Sequence, residues 1–166
     1  MKKSITIIFF LLISTTIFSQ ENFVEYKKDN FSISYPENWR LDTSGQMNTT
    51  FIIYSPTQPE DPFHENINLL IQDLTGQNLD LESYTSISEN QIKTMIPNTK
   101  LVKSERKGNY HEVIWSGFVA NNNLKFKQIY YVINDKAFVL TFTALDTTFD
   151  DYIDLGSKIL DTFKLN

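Results

Sequence analysis

"NFSISYPENW" (residues 30–39) decides how the rest of the chain is read. Phe31, Ile33 and Tyr35 alternate with Ser32 and Ser34. That period of two is the pattern of a strand with one apolar face. Pro36 has no backbone N–H to give to a ladder, so it stops the strand. Trp39 follows at once, where a large ring can close the open end of a core. The stretch reads as architecture rather than chemistry.

Strands extend on both sides of it. Residues 23–28 alternate and suit a first strand, and Asp29-Asn30 is a turn signal because both residues tolerate left-handed backbone. Residues 50–54 form a further strand ending at Ser55-Pro56. "PTQPEDPFHEN" (residues 56–66) is the longest clear loop, with three prolines. Residues 66–74 read as a central strand with Ile67, Leu69 and Ile71 on one face. Leu81, Tyr84, Ile87, Ile92 and Met95 then recur near helical spacing, with Asp80 as N-cap, Glu82 and Glu89 on the solvated face, and Pro97-Asn98 as the stop.

Residues 101–105 and 110–119 read as strands joined across Lys107-Gly108-Asn109. Asn121-Asn122-Asn123 marks another hairpin, and strands at 126–133 and 137–144 flank Asn134-Asp135. Phe149, Tyr152, Ile153, Ile159, Leu160 and Phe163 form the stripe of a last helix. Gly156 lies within that stripe. Glycine weakens a helix by up to about 1 kcal/mol against alanine, so close approach to a sheet is its expected role. The sum is about seven strands, mostly in antiparallel hairpins, and two helices, which predicts an α+β domain. The two-sided apolar run "AFVLTFTA" (137–144) predicts a sheet covered on more than one face.

The 166 residues suit one domain, expected over 21–166 once a leader is removed. Residues 1–20 read as an export signal: Lys2 and Lys3, an apolar run from Ile5 to Ile13, and a cleavage point near Ser19-Gln20. The unbroken apolar run is short for a membrane span, which takes about 20 residues. No lipid-bearing cysteine follows it, and the chain has no cysteine at all. Disulfides, thiolate nucleophiles and cysteine-ligated zinc are therefore excluded. Loss of Lys2 and Lys3 takes the formal charge from -5 to -7, a poor match for nucleic acid or anionic lipid. Lys103, Arg106 and Lys107 are the nearest approach to a basic run, and Glu105 interrupts them; they read as a solvated strand end.

Chemistry is hard to find. His64 and His111 lie far apart, in no metal-binding spacing, and His111, beginning a strand beside Glu112, reads as an edge residue. There is no nucleophile elbow and no phosphate-cradling glycine loop, and Ser116-Gly117 falls inside a strand. Asp150-Asp151 opens the last helix, where negative charge suits the dipole. No catalytic, metal or cofactor-binding residue is assigned, and no cofactor is expected. Asp61, Phe63, His64 and Glu65, on the proline-rich loop, are the expected contact surface. A rival reading lets Trp115, Phe126, Tyr130 and Tyr131 line a pocket for a small molecule or lipid. A hydrolase resting on the plentiful carboxylates is a more distant third.

"FSISYPENW" resembles the F-x-I-x-Y-P-x-x-W opening of the PsbP/Mog1-like superfamily. "KAFVLTFTA" followed by "FDDYIDLGSKILDTFKL" is similar to that superfamily's closing strand and helix. The resemblance spans residues 22–166. It implies an antiparallel sheet flanked by helices, an α/β/α sandwich. It also implies a non-catalytic binding or accessory role, as in the photosystem II subunit PsbP and the GTPase-binding Mog1. The chain is thus expected to be an exported, periplasmic or extracellular accessory module, monomeric, without stable membrane insertion of its mature part. Its expected partner is an unidentified protein, not nucleic acid.

Overall fold

Three tight hairpins in a row build four strands of the larger sheet, seen in a computed structural model that describes residues 22–57, 59 and 61–166. The export signal expected over 1–20 lies outside the described residues. The strands are β1 (Phe23–Lys28), β2 (Phe31–Pro36), β3 (Arg40–Asp42), β4 (Phe51–Tyr54), β5 (Asn66–Asp73), β6 (Lys100–Lys107), β7 (Tyr110–Val119), β8 (Asn122–Ile133), β9 (Lys136–Leu145) and β10 (Lys164–Leu165). The helices are α1 (Leu81–Met95), between β5 and β6, and α2 (Phe149–Leu160), between β9 and β10. The short β3 and β10 go beyond the sequence expectation, since two or three residues cannot show a period of two.

The turns at Gly108-Asn109, Ala120-Asn121 and Asn134-Asp135 join β6 to β9. Left-handed backbone at Gly108 (φ 61°), Ala120 (49°), Asn121 (64°), Asn134 (51°) and Asp135 (56°) matches strand twist across a two-residue loop. Because the second turn uses Ala120-Asn121, Asn122 and Asn123 join β8, which starts four residues before the expected 126.

One sheet has seven strands in the order β3-β4-β5-β9-β8-β7-β6, and a second has the order β1-β2-β10. Each neighbouring pair is antiparallel. β9 lies near the middle of the large sheet and is buried on both faces over residues 137–144. Its even positions Phe138, Leu140, Phe142 and Ala144 meet Phe31, Ile33, Tyr35 and Trp39, together with Ile159, Leu160 and Phe163. Its odd positions Ala137 and Val139 meet Leu81 and Tyr84 of α1 and Val113, Trp115 and Tyr130 of the sheet. The large sheet is therefore covered by the small sheet and α2 on one face and by α1 on the other. Phe31, Ile33, Phe51, Ile53 and Leu140 are fully buried, each contributing about 1.5–3 kcal/mol. Trp39 is buried in the same core, and its backbone N–H donates to the Pro36 carbonyl at 2.9 Å.

Three side-chain placements differ from the sequence reading. α1 buries Leu81, Tyr84 and Thr85, while Ile87 and Met95 face outward at 44% and 75% exposure. Ile87 is six residues from Leu81, which places it well around the helix from a stripe spaced by three and four. Glu89, expected on the solvated face, tucks one carboxylate oxygen beneath α1, where it meets no partner among the described residues. His111 is half-buried on β7, which is paired on both sides, and Ser104 rather than solvent meets its Nε2 at 2.7 Å. No described helix is long and apolar enough to cross a membrane.

The C-terminal segment closes onto β2, beside β1. Leu165 pairs with Phe31, the Asn166 N–H donates to the Asn30 carbonyl at 3.1 Å, and the Ser34 N–H donates to Thr162 Oγ1 at 2.8 Å.

Candidate functional site

The β4–β5 connection straddles one end of the large sheet. Its base is a continuation of the ladder: Tyr54 pairs with Asn66, and the Ser55 N–H donates to the Glu65 carbonyl at 2.8 Å. From there Phe63 packs against the core beneath α1. Asp61 reaches the other face, where its Oδ2 accepts from the Tyr152 hydroxyl of α2 at 3.3 Å. Asp61 Oδ1 accepts from the Phe63 N–H at 3.2 Å, a local turn that an aspartate provides for itself.

Glu65 points inward and is 1% exposed. Its Oε2 accepts from Ser55 Oγ at 2.9 Å, and its Oε1 has no partner among the described residues. Burial pushes its carboxyl above the usual range. Its own backbone N–H and Ser55 pull the other way, and nearby Asp61 adds to the rise. Burial also raises the Tyr152 hydroxyl, with Glu65 and Asp61 next in effect. His64 stays exposed. Its Nδ1 meets the Ser55 carbonyl at 2.6 Å and so carries the hydrogen, since a carbonyl only accepts. The imidazole stands edge-on to Tyr54 at 6.0 Å, and the Arg40 guanidinium lies 4.5 Å over the same ring. Arg40, Tyr54 and His64 thus form one outer row, while Glu65 with Ser55, and Asp61 with Tyr152, turn to the other side of the ladder.

Of the four residues expected at the contact surface, the fold gathers all into one loop but gives them different tasks. His64 is presented to solvent, Phe63 and Asp61 are half-buried anchors, and Glu65 is interior. Arg40, Tyr54 and Tyr152 complete the cluster. Pattern reading misses them because they come from β3, β4 and α2. The described residues hold no group of three or more His, Asp or Glu placed to bind a metal ion.

A second charged cluster surrounds Glu112, which is 4% exposed on β7. Lys103 and Lys107 of β6 approach it at 2.8 and 3.2 Å, and Lys127 of β8 at 3.3 Å. Lys127 also donates to Ser157 Oγ on α2 at 2.9 Å. Burial works against the Glu112 charge, but Lys103, Lys127 and Lys107 together hold its carboxyl down to about 2. Lys103 and Lys107 are thus more than a solvated strand end. Glu105 sits directly opposite Glu112, a repulsive pair that the diagonal lysines offset.

The aromatic residues of the carrier reading do not share a pocket. Trp115 stacks on Phe126 at 4.0 Å and Tyr130 meets Tyr84 edge-on at 5.6 Å, all beneath α1. Tyr131 lies on the opposite face, against Phe163 and Tyr110. The polar tips are satisfied internally: Trp115 Nε1 donates to Gln128 Oε1 at 2.8 Å and the Tyr130 hydroxyl to the same oxygen at 2.6 Å. A cleft of about 450 Å³ does run beside α1, but Gln72, Tyr84, Ser88 and Gln91 give it a polar lining.

The chain matches no family model and no curated protein. Its likeness is to solved structures. Cyanobacterial PsbP from Synechocystis superposes with a TM-score of 0.64 at 13% identity, over 93% of this chain and 99% of that one. LpqN of Mycobacterium tuberculosis, involved in cell envelope biogenesis, gives 0.62 at 21% identity, over 89% and 91%. Protein PA94 of Pseudomonas aeruginosa, of unknown function, gives 0.60 at 11% identity, over 84% and 94%. Near-complete coverage in both directions, with the sheet flanked as described, means that this chain has the PsbP/Mog1-like fold.

Proposed function

We propose that this chain is an exported, non-catalytic accessory module that acts by binding another protein through the loop at 56–66. The observation that carries the placement is the contrast within that loop. Glu65 and Asp61 anchor it to β4 and α2, while His64 stands exposed beside Tyr54 and Arg40. An anchored loop with an exposed aromatic and cationic rim loses little entropy on binding, and Arg and Tyr are favoured contact residues. The accessory role is supported by the fold shared with cyanobacterial PsbP and with an envelope-biogenesis protein. Export is supported by the sequence of residues 1–20.

Photo-crosslinking in the native host tests this reading. A crosslinker at position 64 should give one reproducible protein adduct, absent when the crosslinker sits at Lys93 on the far side of α1. Equal labelling from both positions, or none from position 64, rejects the loop surface. Turnover of a substrate that disappears on changing Asp61 or Glu65 rejects the non-catalytic role.

A further inference from the structure

The seven-stranded sheet ends in two unlike edges. β3 is three residues long, whereas β6 presents eight residues whose outer side meets no strand among the described residues. The turn at Gly108-Asn109 sets which backbone groups β6 leaves open. Lys107 and Tyr110 close a two-residue hairpin, so they exchange hydrogen bonds, as do Glu105 with Glu112 and Lys103 with Ile114. By alternation, the N–H and C=O of Ser104 and Arg106 point away from β7. The register shift between Leu101 and Lys103 leaves Val102 outside the pairing at 60% exposure, and residues 103–107 remain regular.

β6 is also basic in an acidic chain: Lys100, Lys103, Arg106 and Lys107 against Glu105, where the whole chain carries -5. Such charges deter pairing with a second copy of the same strand, because like charges would then face each other. The same charges favour a strand of opposite sign. Lys103 and Lys107 lie four apart on one face. Each already meets Glu112 and Glu105, and an ammonium group has three hydrogens to give.

We infer that β6 is a docking edge for an extended acidic segment of a partner protein, which adds as an eighth strand with acidic residues four apart opposite Lys103 and Lys107. The docking mode is β-augmentation: backbone bonds to Ser104 and Arg106 supply affinity, and the lysines supply selectivity and register. The inference extends the contact-module reading to a surface separate from the loop at 56–66, and a defined peptide tests it independently of that loop.

The probe is the octapeptide Thr-Glu-Val-Thr-Val-Glu-Thr-Val, acetylated and amidated, with a counterpart carrying Lys in place of both Glu. Titration of the isotopically labelled protein should give saturable shifts at β6 amides and slowed hydrogen exchange at Ser104 and Arg106. Raising the salt concentration should weaken binding. The Lys peptide should give no such shifts. Ser104→Pro removes one outward donor and should abolish binding while the melt stays cooperative. If that variant does not fold, the acidic peptide N-methylated at the residues whose N–H groups face β6 replaces it, and should give no saturable shift. Shifts centred elsewhere, equal binding of the Lys peptide, no saturable shift, or a concentration-dependent dimer that protects β6 would each overturn the inference.

Discussion

Gly156 offers a sharp test of how tightly α2 lies on the sheet. A Cβ built at this position would stand 2.8–2.9 Å from Cδ2, Cε2 and Cγ of the Phe142 ring. Carbon atoms pack favourably at about 3.5–4.0 Å, so helix or ring must give way by roughly 0.7 Å. Neither has room. Phe142 is fully buried at the centre of β9, with Phe149 against it at 5.6 Å. Gly156→Ala gains about 1 kcal/mol of helix propensity and, with three ring atoms inside 3.0 Å, costs the upper part of the overpacking range, about 2–3 kcal/mol. A net loss of about 1–2 kcal/mol is expected, lowering Tm by about 3–6 °C in a chain of this size.

Gly117→Ala is the companion case on β7. There the Cβ meets the Cγ2 methyl of Ile96 at 2.7 Å, with the Pro97 carbonyl and Trp115 at 3.4 Å. Cγ2 sits directly on the branched Cβ of Ile96 and moves only with χ1 or the backbone, so a loss of about 1–3 kcal/mol is expected. Urea unfolding of both variants beside the wild type measures the two losses. Phe142→Leu should recover part of the loss when combined with Gly156→Ala. A Gly156→Ala protein as stable as the wild type, or more so, refutes the close approach.

Glu112→Gln should cost about 2 kcal/mol at neutral pH, because it leaves three lysines around a neutral group. The Glu112 carboxyl falls from 4.5 to about 2, so its contribution is complete above the unfolded value and lost as pH falls through the folded one; the gap between variant and wild type should close near pH 2. Glu65 is displaced the opposite way, and its contribution is lost as pH rises through its folded pKa. Glu65→Gln should therefore gain on the wild type as pH rises above the usual carboxylate range, and a pH-independent difference in denaturant melts contradicts the buried carboxyl. Asp80→Ala removes the cap in which Oδ1 accepts from the Ser83 N–H at 2.8 Å, and should cost about 1 kcal/mol, with Asp80→Asn restoring most of it.

The strands were legible wherever one residue in two was apolar, as at Phe31, Ile33 and Tyr35, and wherever a turn carried Asn, Asp or Gly. The close seat of α2 was legible too, because a glycine inside an apolar helical stripe has few other uses. β3 and β10 were not, since their places depend on β4 and β2 rather than on any local pattern. The inner face of α1 was misjudged for a related reason. Thr85 and Ser88 lie on it, and their hydroxyls donate to the Leu81 and Tyr84 carbonyls of the helix itself, so their polarity is satisfied without solvent. At the loop, Asp61, Phe63, His64 and Glu65 could be nominated together from sequence. Their division into anchor and rim could not, because Tyr152 and Arg40 lie far away along the chain. The Glu112 cluster carried a readable signal: the Gly108-Asn109 turn alone fixes which β6 lysines flank it.

The closing of the C-terminal segment onto β2 sets an order of events for a growing chain. Phe31, buried against Phe163 at 5.8 Å, belongs to the first strands made and waits for the last. Until residues 159–165 are available, the β1–β2 hairpin keeps its apolar face without Ile159, Leu160 and Phe163. Contacts spanning nearly the whole length of a chain are slow to form, because the entropy of closing that loop precedes any gain. A chain shortened by its last eight residues is accordingly one whose first hairpin never finds its lid. It should be held open and exposed to proteases, although the seven-stranded sheet and α1 are complete in its sequence.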